Sequence, residues 1–368
     1  MTTKRRQGRR GPVIFRRAVV LYVVGGAALA VAGGRAFGAD VTLPPISVGA
    51  GLQTGFEHED PGASGTTSTD RFYLDSIRLY LNGSVTDNIK VTFNTEYTTT
   101  NDVQVLDAIA RFEFSDSFNI WAGRLLPPSD RANLYGPYYA NDWFPYADGV
   151  ADFYPSVATG RDNGVAYWGQ FGIVKVSAGL FDGPSASGTP TGTGAGNDKM
   201  ISAARVMVDF WSPEPGYYLN GTYYGEKDIL ALGVAAQNQA SDTSDGGTSG
   251  GTASSIDGLL EKKLGDSGVV DVESEYQHDS GLIDRSNGWY GLASYLLPQP
   301  IGVGKVQFLG KYSEKTTHAL TDIKDKTKEI EVNYIIKGFN ARVGAFYLNY
   351  DDPTAPYKAY GVKLQLQM

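Results

Sequence analysis

The sequence contains no cysteine and only three histidines among 368 residues. The absence of cysteine excludes a disulfide framework and any thiolate metal site. The histidines, His58, His278 and His318, form no closely spaced pair of metal ligands, so we expect neither a metal nor another cofactor. Stability must therefore come from backbone hydrogen bonds and packing.

The first 38 residues lack acidic residues but hold eight of the 32 basic ones. Most of these basic residues precede an apolar stretch from Ala18 to Gly34, which is the order found in a secretory signal peptide. Ala36 and Gly38 fit a signal-peptidase site, with Ala39 as an alternative end of the leader. We predict a signal peptide at 1–38 and one mature domain at 39–368. An uncleaved inner-membrane anchor is the alternative, because the apolar stretch just reaches across a thin bilayer.

Without its leader the chain is strongly acidic. Of the 32 basic residues 24 remain, against 40 acidic residues, which gives a net charge of −16. Such a chain repels phosphate backbones, so nucleic acid is not an expected partner.

The mature chain shows no amphipathic helical pattern and consists of alternating segments of roughly ten residues. One residue parity is apolar and the other polar at 90–98, 269–277, 329–336 and 360–368. The polar parity of 269–277 is a run of carboxylates, which a packed soluble core would not accept. In a bilayer, lipid covers the apolar parity and the polar parity faces a wet lumen. We therefore predict an all-β fold, a transmembrane antiparallel β-barrel in contact with outer-membrane lipid and lipopolysaccharide.

The connections set the number of strands. Segments rich in Gly, Ser and Thr at 59–70, 183–199 and 240–255 predict external loops, and short connections elsewhere predict periplasmic turns. Tyr217 to Tyr224 also has a strand-like pattern, but alternation of the two kinds of connection requires Trp211 to Lys227 to be one periplasmic connection. The total is then about 16 strands, enough to leave an aqueous channel.

The long connection from Leu125 to Gly160, between the predicted fifth and sixth strands, carries eight aromatic residues in a polar setting. So many aromatic side chains need a surface to pack on. We predict that this connection folds into the lumen and narrows it. The alternatives are an external loop packed on its neighbours and aromatics of the interfacial girdle. The candidate constriction residues are Arg124, Asp130, Arg131, Tyr135, Asp142, Trp143, Asp148, Asp152 and Arg161.

Several segments resemble the phosphate-selective porin O and P family: 107–128 (DAIARFEFSDSFNIWAGRLLPP), 160–164 (GRDNG), 328–339 (KEIEVNYIIKGF) and the ending YGVKLQLQM. The resemblance implies a 16-stranded homotrimeric porin for small hydrophilic solutes or ions, whose third external loop constricts the pore. Phosphate-selective members line that constriction with basic residues, whereas 125–160 hold only Arg131 against four aspartates. Phosphate selectivity is therefore not expected to carry over. Met368 also stands where such barrels usually end in an aromatic residue.

The sign of any ion selectivity depends on which charges face water. The four aspartates of the connection outweigh Arg131 and its flanking partners Arg124 and Arg161 by one charge, which predicts a weak preference for cations. Anions are preferred instead if the aspartates point away from the lumen.

Two other functions can be weighed on the sequence. The letters GDSG at 265–268 match a serine-protease motif, but they lie in a predicted periplasmic turn, whereas the histidines lie in or beside predicted external loops. We therefore expect no enzyme. A non-conducting barrel that acts as an adhesin or a structural envelope protein shares the same sequence pattern, and only conductance distinguishes it from a porin.

Overall fold

The computed structural model describes residues 45–62, 67–98, 101–150, 160–183, 199–241, 250–282 and 284–368. The predicted signal peptide and Asp152 lie outside these ranges. Within them, 16 antiparallel strands form one closed barrel. The strands are β1 Ile46–Pro61, β2 Thr69–Ser84, β3 Ile89–Thr98, β4 Asn101–Ser115, β5 Phe118–Leu125, β6 Asp162–Phe171, β7 Val174–Phe181, β8 Ile201–Asp209, β9 Ile229–Gln239, β10 Gly251–Lys263, β11 Val269–Ser280, β12 Arg285–Leu296, β13 Lys305–Thr317, β14 Ile323–Lys337, β15 Ala341–Asp351 and β16 Tyr357–Gln367.

The barrel closes where the first strand meets the last. In the β1–β16 pair, Gly51 lies opposite Gln367 and Pro61 lies opposite Tyr357. The backbone of Met368 extends the pairing, because its nitrogen donates to Ala50 O at 2.9 Å and its oxygen accepts from Ala50 N at 3.0 Å. Closure removes the sheet edges that lipid could not solvate. The predicted fold class is confirmed.

The side chains are distributed as in a membrane barrel, with charge inside and apolar groups outside. In β11, Glu273 is fully buried while Val272 is 45% exposed, and Tyr276 is 47% exposed. In β14, Glu331 is buried while Val332 is 45% exposed. In water this arrangement would expose an apolar belt, whereas in a bilayer lipid covers it.

Two long connections enter the lumen in the described part of the chain. Loop L3 (126–161) joins β5 to β6 and is the third connection at the external end; it contains a short helix, α1 (Arg131–Tyr135). The periplasmic connection T4 (210–228) joins β8 to β9, which confirms that Trp211–Lys227 is one connection. Among the described residues, no helix has the length and apolar character needed to cross a bilayer.

Candidate pore constriction

Loop L3 turns into the barrel directly after β5. Pro127 and Pro128 cannot donate to a sheet ladder, so they end the strand. Asp130 then caps α1, because its side chain accepts from Asn133 N at 2.8 Å. Gly136, with φ of 65°, ends the helix, and its nitrogen donates to Ala132 O at 3.1 Å. All five residues of α1 are buried.

L3 packs on the wall formed by β10 to β16. Tyr135 Oη donates to Glu273 on β11 at 2.9 Å, and Asn141 Nδ2 donates to Ser294 on β12 at 3.2 Å. Trp143 Nε1 donates to Asn333 on β14 at 2.7 Å, and the Arg342 guanidinium lies 4.1 Å from the Trp143 ring. These partners belong to the inward parity of their strands, so residues 126–150 of L3, which the structure describes, lie inside the barrel, as predicted.

The acidic residues of L3 face this wall. Lys311 Nζ on β13 lies 3.0 Å from Asp142 Oδ2 and 2.9 Å from Asp148 Oδ2. The Lys311 side chain is 4% exposed, and both carboxylates are almost completely buried. One lysine therefore compensates part of the charge of two carboxylates, and both carboxylates are shielded from open water.

Arg131 joins L3 to T4. Its guanidinium is fully buried, and Nη1 donates to Glu214 Oε1 at 3.0 Å and to Asn220 O at 3.0 Å. Burial by itself would lower the pKa of Arg131, but Glu214 and Asp257 hold it above its ordinary value. Burial would likewise raise the pKa of Glu214, yet Arg131 holds it below its ordinary value. The two groups are therefore a charged pair excluded from water.

T4 also enters the lumen and packs on L3. Tyr217 Oη donates to Leu126 O at 2.7 Å, and Gly221 N donates to Tyr139 O at 2.8 Å. Thr222 Oγ1 donates to Glu261 on β10 at 3.0 Å. The sequence pattern predicts a periplasmic connection here but does not predict its inward course. The available signal was a connection with four tyrosines, Tyr217, Tyr218, Tyr223 and Tyr224, which need a surface as the L3 aromatics do.

The lumen beside β1 to β5 contains cavities in series. An outer cavity of about 760 Å³ reaches Arg71 and Phe72 near the external end, and an inner cavity of about 560 Å³ reaches Ser47 and Met368 near the periplasmic end. The residues that line both are Arg78 and Arg161.

A third cavity, of about 720 Å³, lies at the periplasmic mouth. It shares Arg111, Trp121, Pro215 and Tyr218 with the inner cavity. The charged residues that border two cavities at once are therefore arginines.

Carboxylates accompany these arginines. Arg78 Nε donates to Glu96 Oε1 at 2.8 Å, and Arg161 Nε donates to Asp107 Oδ1 at 3.3 Å. Arg111 Nη1 lies 3.7 Å from Glu113 Oε1. All three carboxylates line a single cavity each.

The predicted constriction residues occupy four kinds of position. Arg161 borders the outer and inner cavities, Tyr135 borders the inner one and Trp143 the outer one. Arg124 pairs in register with Ala108, on the face opposite Arg111 and Trp121, and donates to Val105 O. Asp152 lies outside the described residues. The remaining four line none of these three cavities: Asp130, Arg131, Asp142 and Asp148.

The described part of the chain offers no metal site and no catalytic arrangement around the GDSG turn. No group of three or more His, Asp or Glu side chains there is placed to hold a metal ion. Ser267 lies in the turn between β10 and β11. His58 and His318 lie near the opposite end of the barrel, where they contact Asp70 and Asn287.

Comparisons with known proteins identify the fold. No protein-family model matches the chain, and no curated protein is significantly similar to it. Among solved structures, OprB of Pseudomonas putida matches with a TM-score of 0.63 at 8% identity, over 88% of this chain and 94% of that one. An anion-selective porin from Comamonas acidovorans matches with a TM-score of 0.57 at 14% identity, over 88% and 99%. OmpT of Vibrio cholerae, an outer membrane protein in its trimer form, matches with a TM-score of 0.54 at 14% identity, over 89% and 100%. The chain therefore has the fold of an outer-membrane porin.

Proposed function

We propose that this protein is an outer-membrane porin through which small hydrophilic solutes and ions diffuse passively. The observation that carries the proposal is the series of three cavities along β1 to β5, each sharing lining residues with the next. A packed, solid lumen would leave no such path. The fold shared with porins agrees with this function.

The proposed constriction is the junction of the outer and inner cavities. Arg78 and Arg161 border it, with Glu96 and Asp107 as their partners. Of the residues predicted from the sequence, Arg161 belongs to this set. The residues of L3 that pack on β10 to β16 hold the loop in place, and Tyr138 also donates to Ser76 on β2. In this proposal the path runs between L3 and the wall formed by β1 to β5.

This geometry favours a weak preference for anions. The preference for cations predicted from L3 required its aspartates to face water, whereas Asp142 and Asp148 are paired with Lys311. Fixed charge acts most strongly at a narrow passage. In this proposal that passage is the junction of the outer and inner cavities, and Arg78 and Arg161 line both. Their carboxylate partners keep the preference weak, so we do not extend phosphate selectivity to this chain.

Reversal potential in a potassium chloride gradient tests the proposal. We expect the anion-selective sign for the wild-type barrel and a shift towards cations in Arg161→Gln. Arg285→Gln removes the same charge at the external end of β12, outside the three cavities, and is the matched control. A cation-selective wild type, or equal shifts in both variants, would overturn the assignment of the constriction.

A plugged barrel that serves as an adhesin or structural protein remains the rival function. The inward course of T4 favours it, because T4 occupies lumen space beside L3. A folded barrel without conductance would establish the rival and exclude the porin.

Three further features belong to the proposal. A homotrimer is supported by the trimer form of OmpT, and crosslinking of membrane-embedded protein tests it. A leader removed near Ala39 or Asp40 is tested by N-terminal sequencing. A role in diffusion rather than catalysis agrees with the distance between the GDSG turn and the histidines.

A further inference from the structure

The inner cavity differs from a plain water-filled passage because much of its wall is apolar. Leu106, Ile109, Leu126 and Leu134 line it, together with Trp121 and five tyrosines. Apolar surface that stays in contact with water is costly unless something covers it. The volume of about 560 Å³ is within the range of small-molecule sites.

Polar groups interrupt the apolar wall. The side chains of Tyr80, Tyr218 and Arg111 line the same cavity. Burial and the nearby Asp107 raise the pKa of the Tyr218 hydroxyl, so it keeps its proton. Protonated hydroxyls and a guanidinium are hydrogen-bond donors, and donors suit an anion.

The aromatic and basic groups lie together at the periplasmic side of the cavity. The Tyr218 and Trp121 rings are 5.6 Å apart at 60°, and the Arg111 guanidinium lies 5.6 Å from the Trp121 ring. All three residues border the periplasmic cavity as well, so a passing solute meets them in turn. A ring can pack against Trp121 and Tyr218 while an attached anionic group reaches Arg111.

The charge of the cavity determines which ring-bearing solute fits. Its ionisable lining consists of Arg78, Arg111 and Arg161 against one carboxylate, Asp107, in addition to tyrosines. Arg78 and Arg161 are hydrogen-bonded to Glu96 and Asp107, whereas Arg111 lies 3.7 Å from Glu113. A neutral sugar would satisfy the aromatic faces but make no use of the Arg111 guanidinium. A small aliphatic acid would use the arginines but not the aromatic wall.

We propose that the inner cavity is a binding subsite for small aromatic carboxylates, with Trp121 and Tyr218 holding the ring and Arg111 the carboxylate. The inference rests on the proposed porin function, since it concerns a solute on the way through the pore. Binding and conductance are nevertheless separate measurements, so each can fail without the other.

Calorimetric titration of the folded mature barrel in detergent with sodium benzoate tests the subsite. We expect saturable binding that is weakened about tenfold or more in Arg111→Gln, because a charge-assisted hydrogen bond is lost. Tyr218→Phe should weaken binding less, through the loss of one donor. Arg285→Gln should bind benzoate as the wild type does. Acetate and benzyl alcohol, which lack the ring and the charge respectively, should bind at least about tenfold more weakly than benzoate.

The outcomes separate the two proposals. Three results would overturn the subsite even if the barrel conducts. They are the absence of benzoate binding, binding of glucose or benzyl alcohol as tight as that of benzoate, and an equal loss of benzoate affinity in Arg111→Gln and Arg285→Gln. Benzoate binding with the expected variant pattern in a barrel that carries no current would uphold the subsite and overturn the porin function. Heat-modifiable migration on a gel verifies that each variant is folded.

Discussion

Removal of the buried charge of Glu214 should release T4 from L3. In the structure Glu214 on T4 and Arg131 on α1 are fully buried and paired with each other. Tyr223 Oη also donates to Glu214 Oε1 at 2.9 Å. The substitution Glu214→Gln keeps the shape of the side chain and removes the charge. Arg131 then retains Asp257 as an ionic partner, with Nε at 3.9 Å from Oδ1.

The size of the effect follows from the burial of the pair. Removing one partner of a buried ion pair typically costs about 3–5 kcal/mol, because the other charge stays buried without compensation. Asp257 is shared with Arg205, so it offsets little of this cost. Each tenfold change in a population corresponds to about 1.4 kcal/mol, so a cost of about 3 kcal/mol raises the population of released T4 about a hundredfold.

The absence of cysteine makes this population measurable. Leu219→Cys introduces a thiol that is almost completely buried where T4 meets L3 at the wall of the inner cavity. A water-soluble maleimide therefore reacts with it mainly after T4 is released. We expect labelling to be about a hundredfold faster when Glu214→Gln is added. Glu226→Cys, exposed on the same connection, should label equally fast in both backgrounds. Equal rates for Leu219→Cys in the two backgrounds would refute the role assigned to the ion pair.

The same pair predicts a dependence on pH. The pKa of Glu214 is lowered in the folded protein because Arg131 outweighs the effect of burial. Such a carboxylate stabilises the docked state above its ordinary pKa of about 4.3, and the stabilisation is lost as the pH falls through the lowered value. Labelling of Leu219→Cys, corrected for the reactivity of the thiol, should therefore accelerate at strongly acidic pH. In the Glu214→Gln background this acceleration should be absent. If the acceleration persists there, titratable groups other than Glu214 cause it.

Two further perturbations test how the lumen is filled. Lys311→Met leaves Asp142 and Asp148 buried without their cation, which should loosen L3. We therefore expect noisier and larger single-channel currents. A steady current equal to that of the wild type would contradict this expectation. Deleting Tyr217 to Thr222 removes several T4 residues that contact L3, and conductance of the folded variant should rise. An unchanged conductance would place this segment outside the conducting path.

The alternation of apolar and polar residues was sufficient to predict most of the fold. At 269–277 the carboxylates could lie only on a wet face, so the pattern alone determined which side of β11 faces the lumen, and the structure agrees. The strand count depended on treating Trp211 to Lys227 as one connection, which the structure confirms. These features are local, since each depends on residues close together in the chain.

The site depended on contacts that the sequence does not reveal. Lys311 and Asp142 are 169 residues apart, and Arg131 and Glu214 are 83 apart, so composition could not pair them. Charge counting within L3 could not decide which aspartates face water, whereas the structure places Asp142 and Asp148 against Lys311 on β13. Arg161 was found because it lies at the end of the loop, but Arg78 on β2 carried no signal beyond the alternation of its strand.

The central claim is that solutes pass along β1 to β5 and not along the wall covered by L3. Single cysteines modified during current recording test it most directly. Thr92→Cys lines the inner cavity, and Ser294→Cys lies behind L3, where Asn141 contacts it. In planar bilayers we expect a charged methanethiosulfonate reagent to change the current through Thr92→Cys and to leave that through Ser294→Cys unaffected. The path would be contradicted if the reagent left the current through Thr92→Cys unchanged and altered the current through Ser294→Cys. A folded barrel that carries no current would contradict the pore itself.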